Sequence, residues 1–217
     1  MPKSFEVQVE PSVLKWARTS AGWTVEEIGA KLHKNGLLVE NWESGNKRPT
    51  LNQLRFLANY YKRPLAALLL PEPPEELPIP HDFRNIKGES ASRLSPKTRL
   101  VMRRARRLQV IAKELREEPL GDISKRVGDA KISDDPELLA QKIRSLLGIE
   151  VQTQSDWEDN KEALSQWTYS IERLGILVFQ MSMPIEDARA FSLLDSELPV
   201  IVINTKDSLN ASVASAI

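Results

Sequence analysis

The chain has 217 residues, in which 30 Lys and Arg balance 30 Asp and Glu, and it contains five Trp and no cysteine. A hydrophobic share of 41% supports packed cores and excludes a wholly disordered chain, while the lack of cysteine excludes disulfides, thiolate zinc sites, iron–sulfur clusters and cysteine nucleophiles. No apolar run approaches the length of a membrane span, and the N-terminal MPKSFEVQVEP lacks the apolar core of a secretory signal, so no membrane partner and a cytoplasmic location are expected.

The first third is punctuated as a set of helices. From Ser12 to Ala21, Val13, Leu14, Ala17 and Ala21 fall on one face with Trp16 beside them. Thr24 to Glu27 forms a capping box, in which the Thr hydroxyl accepts from the amide of Glu27 while that carboxylate reaches back; it opens a second helix that buries Ile28, Ala30 and Leu32. Asn35 is a suitable cap for a short third helix, Gly36 to Glu43, stopped by Ser44 and Gly45. Thr50 to Gln53 is a second capping box, opening a helix to Tyr60, which Arg63 and Pro64 break. Trp16, Trp42 and Leu54 are expected in the core. His33 is expected at a helix end, interacting with terminal carbonyls.

Residues 71–80, PEPPEELPIP, hold five of the fourteen prolines and three glutamates, a stiff boundary of polyproline II type. Pro96, capped by Ser95, starts a long helix that runs to Pro119 with Val101, Ala105, Leu108, Ala112 and Leu115 as its apolar stripe. Further helices are expected from Pro136, capped by Asp134 and Asp135, to Gly148 and from about Asn160 to Leu174. The period then changes to extended: 176–181, 190–194 and 200–204 are short β-branched and aromatic runs forming a small sheet, with Asp195 and Glu197 in a turn between strands. A weakly patterned stretch from Asp207 to Ile217 follows. The expected class is mainly α with a small C-terminal β-sheet, an α+β arrangement.

Catalytic constellations are scarce. His33 and His81 are the only histidines and neither has a second at helical spacing, so a zinc site of the H-E-x-x-H kind has no ligands. A Ser–His pair would need the same two residues. Expected catalytic residues, metal ligands and cofactors are therefore none.

Helix, tight turn and helix, followed by Trp42, Glu43, Gly45, Lys47, Arg48, Pro49, Thr50 and Leu51, resembles the Cro/cI-type helix-turn-helix family over about residues 11–70. The resemblance implies a lambda-repressor-like helical domain over 1–70 that binds double-stranded DNA. Its third helix would enter the major groove, with Lys34, Asn35, Lys47, Arg48 and Arg55 at the phosphate backbone. The first turn of that helix is Gly36, Leu37 and Leu38 rather than polar side chains, which leaves Glu40 and Asn41 as the polar readers and implies weak sequence preference. Lys47 and Arg48 also fit a solvated loop. The resemblance implies a homodimer on two half-sites.

A second resemblance follows. Pro71 to Pro74, Leu77 to Pro80, His81 to Arg84 and Leu94 to Pro96 are similar to the connector of helix-turn-helix members of the ImmA/IrrE metallopeptidase family. Trp167, Ile171, Glu172, Gly175 to Phe179, Ala190 to Ser192 and Pro199 to Asn204 are similar to that family's helix and opening strands. This implies a connector over 71–95 and, over 96–217, a helical region plus a partial ImmA/IrrE-like domain with its sheet at about 176–204. The family's H-E-x-x-H helix, which supplies two zinc ligands and a general base, has no counterpart here. The expected function is thus a DNA-binding transcriptional regulator, not an enzyme as given, whose second domain is non-catalytic and open to a protein partner. Two alternatives stand beside it: a fragment of a zinc metallopeptidase lacking its catalytic end, in which the strands would lack a covering helix, and an antitoxin-like protein-binding regulator.

Charge is unevenly spread. Residues before Pro119 carry 21 basic and 14 acidic side chains, and those from it onward 9 and 16. One basic block, ten against six, is residues 1–70; the other, eight against three, is residues 96–118, whose Arg103, Arg104, Arg106 and Arg107 suit phosphate, self-association or pairing with the acidic half.

Overall fold

Two helices of the N-terminal region, those opened by Thr24 and Thr50, start on a residue whose side chain satisfies one of their free amides. The computed structural model describes residues 5–76, 83–84, 94–116, 130–131, 133–195 and 197–208. The chain divides into two units, Met1–Pro78 with Arg93–Leu100, and Ile79–Ser92 with Val101–Ile217. The first residues of the helix that opens at Pro96 therefore group with the N-terminal unit. The architecture is mainly α with a small sheet.

In the first unit, α1 is Pro11–Ser20, α2 Val25–Lys31, α3 Leu37–Glu43 and α4 Leu51–Tyr61, followed by a 3₁₀ turn, Leu65–Leu69. Pro11 suits the first turn of α1 because its missing amide would have had no helical partner. Both capping boxes form. Glu27 N donates to Thr24 Oγ1 (3.1 Å) and Thr24 N to Glu27 Oε2 (2.7 Å), while Gln53 N donates to Thr50 Oγ1 (3.4 Å) and Thr50 N to Gln53 Oε1 (2.8 Å). The buried faces of α1 to α4 meet in one core of Leu14, Ala17, Ile28, Val39, Trp42, Leu54, Leu57 and Tyr61. Burying a leucine-sized side chain contributes about 1.5–3 kcal/mol each, which is what holds helices as short as seven residues. Trp16 departs from expectation: it is only partly buried, and the Arg63 guanidinium stacks 3.9 Å over its ring. Arg63 also donates to Ser20 Oγ (2.8 Å) and pairs with Glu76, tying the start of the proline-rich segment to this unit. An N-terminal arm not anticipated from the sequence runs beside the start of α4, with Val7 N donating to Pro49 O (2.9 Å) and Leu51 N to Phe5 O (3.2 Å).

In the second unit, β1 is Phe83–Arg84, α6 Pro136–Leu147, α7 Val151–Ser155, α8 Asn160–Arg173, β2 Leu177–Met181, β3 Ala190–Leu193 and β4 Val200–Asn204. α5 spans Pro96–Glu114. The sheet order is β1-β3-β4-β2, with β2 parallel and β3 antiparallel to β4. Period-two alternation sorts its faces. Ile176, Val178, Ile201 and Ile203 join Leu164, Trp167 and Ile171 of α8 with Leu147 and Ile149 in one core. In register on the other face, Phe191 lies opposite Val202 and Leu193 opposite Val200, and all four are buried. The expectation that the strands would lack cover, which favoured a catalytic fragment, is corrected by this burial. Asn204 is buried and fully bonded: Nδ2 donates to Met183 O and Ala188 O, and Oδ1 accepts from Met183 N and Lys206 N, which pins the β2–β3 loop.

α5 also departs from its expected stripe. Its buried residues are Thr98, Val101, Met102, Ala105 and Gln109, whereas Leu108 and Leu115 are exposed. Gln109 Nε2 donates to Leu198 O (2.8 Å) and Leu193 O (3.4 Å), and Lys113 Nζ to both oxygens of Asp195 (3.0 and 3.1 Å). Asp195 forms the expected turn, its Oδ1 accepting from the amides of Glu197 and Leu198. Burial pushes the Asp195 carboxyl up, but these amides and Lys113 together hold it below its ordinary value. The helix ends at Glu114, short of the expected stop. Pro119, residues 77–80 of the polyproline stretch, His81 and the tail from Leu209 to Ile217 lie outside the described residues.

Candidate nucleic-acid interface

The geometry of α3 is set from behind by two contacts. The first is backbone to backbone. A Cβ added at Gly29 of α2 would stand 2.6 Å from Gly36 N and 2.8 Å from Gly36 Cα, so the start of α3 lies directly on α2. A mid-helix glycine costs about 0.5–1 kcal/mol against alanine, and here that cost permits the close turn between the two helices. Before the turn, His33 takes positive φ (54°) and its amide donates to Ala30 O, which ends α2 as expected of that residue. Asn35 then caps: its Oδ1 accepts from Leu37 N (3.1 Å), although the helix begins at Leu37, with Gly36 already in helical conformation.

The second contact is a buried ion pair. Arg18, at the end of α1, donates through Nε to Glu43 Oε1 (2.6 Å), through Nη2 to Oε2 (2.7 Å) and through Nη1 to Trp23 O (2.8 Å). The bond to Glu43 raises the Arg18 pKa against the opposing effect of burial, so the cation is retained. A planar fork on a carboxylate fixes direction as well as distance, so the end of α3 is held in angle relative to α1. Sequence reading passed over Arg18. The signal was present, since it falls between Leu14, Ala17 and Ala21 on the buried side of α1, where an unpaired cation would be prohibitive.

With Val39 and Trp42 buried, α3 turns Leu37 and Glu40 outward; Leu37 is 59% exposed, and Leu38 and Asn41 are half-buried. Gly36 is half-buried against Val25 and Glu26, so it serves helix packing more than it offers surface. Lys34 stands exposed in the turn before α3, and Lys47 and Arg48 in the turn after it, where Lys47 N donates to Asn41 O (3.0 Å). Arg55 is exposed one turn into α4. Among the described residues, none of these four cations has a carboxylate partner. The arrangement is a short helix presenting leucine and glutamate between flanking unpaired cations, which can bind an extended polyanion without neutralising groups of its own.

No three His, Asp or Glu side chains are grouped to hold a metal ion among the described residues. No helix there is long and apolar enough to cross a membrane. No protein-family model, curated protein or solved structure matches the chain.

Proposed function

We propose that the chain is a DNA-binding transcriptional regulator. It acts as a homodimer through a Cro/cI-type helix-turn-helix over its first 70 residues, and the second unit is a non-catalytic, ImmA/IrrE-like platform for a protein partner or signal. The observation that carries this reading is α3: locked against α2 by Gly29 and against α1 by Arg18, it exposes its outer face between Lys34, Lys47 and Arg48. Affinity comes from counterion release, about 0.9 units of log slope per phosphate neutralised, so three or four contacts from each protomer give a slope near −3 to −4 per protomer bound. Base reading is thin. Leu37 and Leu38 can touch thymine methyls, Asn41 can bond adenine, and Glu40 can accept from cytosine but repels nearby phosphates.

The test is a titration of a labelled duplex of about two to three helical turns at several salt concentrations. The expected result is binding that weakens steeply with salt and differs little between sequences. Absence of binding at low salt would overturn the DNA reading, and a nanomolar unique site at physiological salt would overturn the weak preference.

A further inference from the structure

We propose that the outer face of α5 is a self-association surface on which two copies of the chain pair with their α5 helices antiparallel. α5 carries apolar residues on two sides. Its inner line, Met102, Ala105 and Gln109, is buried in the second unit. Its outer line is Arg104, Leu108 and Ile111, continued just past the last helical residue by Leu115, whose amide still donates to Ile111 O (2.9 Å); the spacing of four, three and four is the repeat that keeps one seam of a helix against a partner helix. Leu108 is 42%, Ile111 37% and Leu115 77% exposed, so the seam is open to solvent along its length, most at its Leu115 end. These residues all belong to the second unit.

Charge selects both occupant and direction. Arg107 and Glu114 stand seven residues apart on the same flank of the seam, and neither makes an ion pair among the described residues. Pairing two copies in parallel would set Arg104 against Arg104 and leave Arg107 facing alanines of the other flank, Ala105 and Ala112, with no carboxylate. In the antiparallel arrangement Leu108 faces Ile111 of the second copy, Leu115 packs along the Arg104 stem, and Arg107 meets Glu114 on the same flank. The two Arg104 charges are then about 16 Å apart along the axis, from a rise of 1.5 Å per residue, beyond the roughly 8 Å screening length at physiological salt. The helix thus supplies its own complement only when reversed, which points to a second copy of this chain. The seam covers about three turns, which places the interface at the low end of specific contacts and makes the association concentration-dependent.

The inference deepens the homodimer part of the proposed function and does not depend on its DNA part. It is tested by sedimentation of the full chain without DNA over roughly two decades of concentration, beside Ile111→Lys, Arg107→Glu, Glu114→Arg and the double exchange. Far-UV circular dichroism serves as the folding control. Wild type is expected to pass from monomer to dimer, Ile111→Lys to remain monomeric, and each single charge reversal to weaken dimerisation about tenfold or more. The double exchange restores it to within about threefold, since tenfold corresponds to about 1.4 kcal/mol, the order of a close charge pair. A dimer unaffected by Ile111→Lys, or not recovered by the double exchange, overturns the α5 surface while leaving a homodimer. Wild type that is monomeric throughout overturns both, and is also the outcome if a different protein or another segment of this chain covers the face.

Discussion

Residues 1–70 and helix α5 carry similar excesses of positive charge and use them differently. Around α3, Lys34, Lys47, Arg48 and Arg55 are exposed and unpaired among the described residues, while the cations that are paired, Arg18 and Arg63, do structural work behind them. On α5, Lys113 is held by Asp195 and Glu197, more than eighty residues away in sequence, and burial lowers the Arg106 pKa. The net charge of a segment therefore does not say what it binds. That depends on which cations the fold has already given a carboxylate and on what lies beside the rest: the free cations of the first unit flank the short helix α3, whereas the exposed Arg104 and Arg107 of α5 flank an apolar seam.

The sharpest test of the contrast is the pair of anchoring arginine and lysine residues. Arg18→Ala leaves Glu43 buried without its partner and should destabilise the first unit by about 3–5 kcal/mol, read as a lower urea midpoint. Lys113→Ala, which removes a half-buried pair that water still reaches, should lower the midpoint far less. Next in size, Gly29→Ala gains helix propensity but drives a methyl into the Gly36 backbone. Overpacking of this kind costs about 1–3 kcal/mol, so the variant should be less stable and bind DNA more weakly. Replacing Lys47 and Arg48 by alanine should lower the magnitude of the salt slope of DNA binding by about one unit for each lost phosphate contact, whereas Lys113→Ala should not change it.

The smallest effect is a pH dependence. Because the Asp195 carboxyl is held below its ordinary value in the fold, its contribution is present above the unfolded value, about 3.9, and is lost as pH falls through the lowered one. The stability difference between wild type and Asp195→Asn should then be constant near neutrality and shrink below about pH 4, as measured by denaturation at stepped pH.

What was legible in the sequence was local chemistry. The capping boxes at Thr24 and Thr50, the Asp135 cap ahead of Pro136 and the end of α6 at Gly148, with φ +69°, need only residues three or four apart, and each forms. The exposure of Lys34, Lys47, Arg48 and Arg55 was legible for the same reason, since long charged side chains stay solvated unless something distant claims them. What depends on distant partners was not legible. The Arg18–Glu43 link spans 25 residues, and the arm at Val7 finds its acceptor at Pro49. The stripe read on α5 mixed its two sides: Val101 and Ala105 face inward but Leu108 and Leu115 outward, and periodicity alone does not say which apolar side meets the sheet. Phe83–Arg84 joins the sheet only through pairing with β3, and α7 is five residues long, too short for a periodic signal.

The central claim is that α3 and its flanking cations bind DNA through phosphate contacts. Its most direct measurement is the salt dependence of duplex binding by wild type and by the Lys47→Ala, Arg48→Ala variant. The account predicts a wild-type log–log slope near −3 to −4 per protomer bound, reduced in magnitude by about two per protomer in the variant. Equal slopes for the two proteins, or no binding by wild type at low salt, would contradict it.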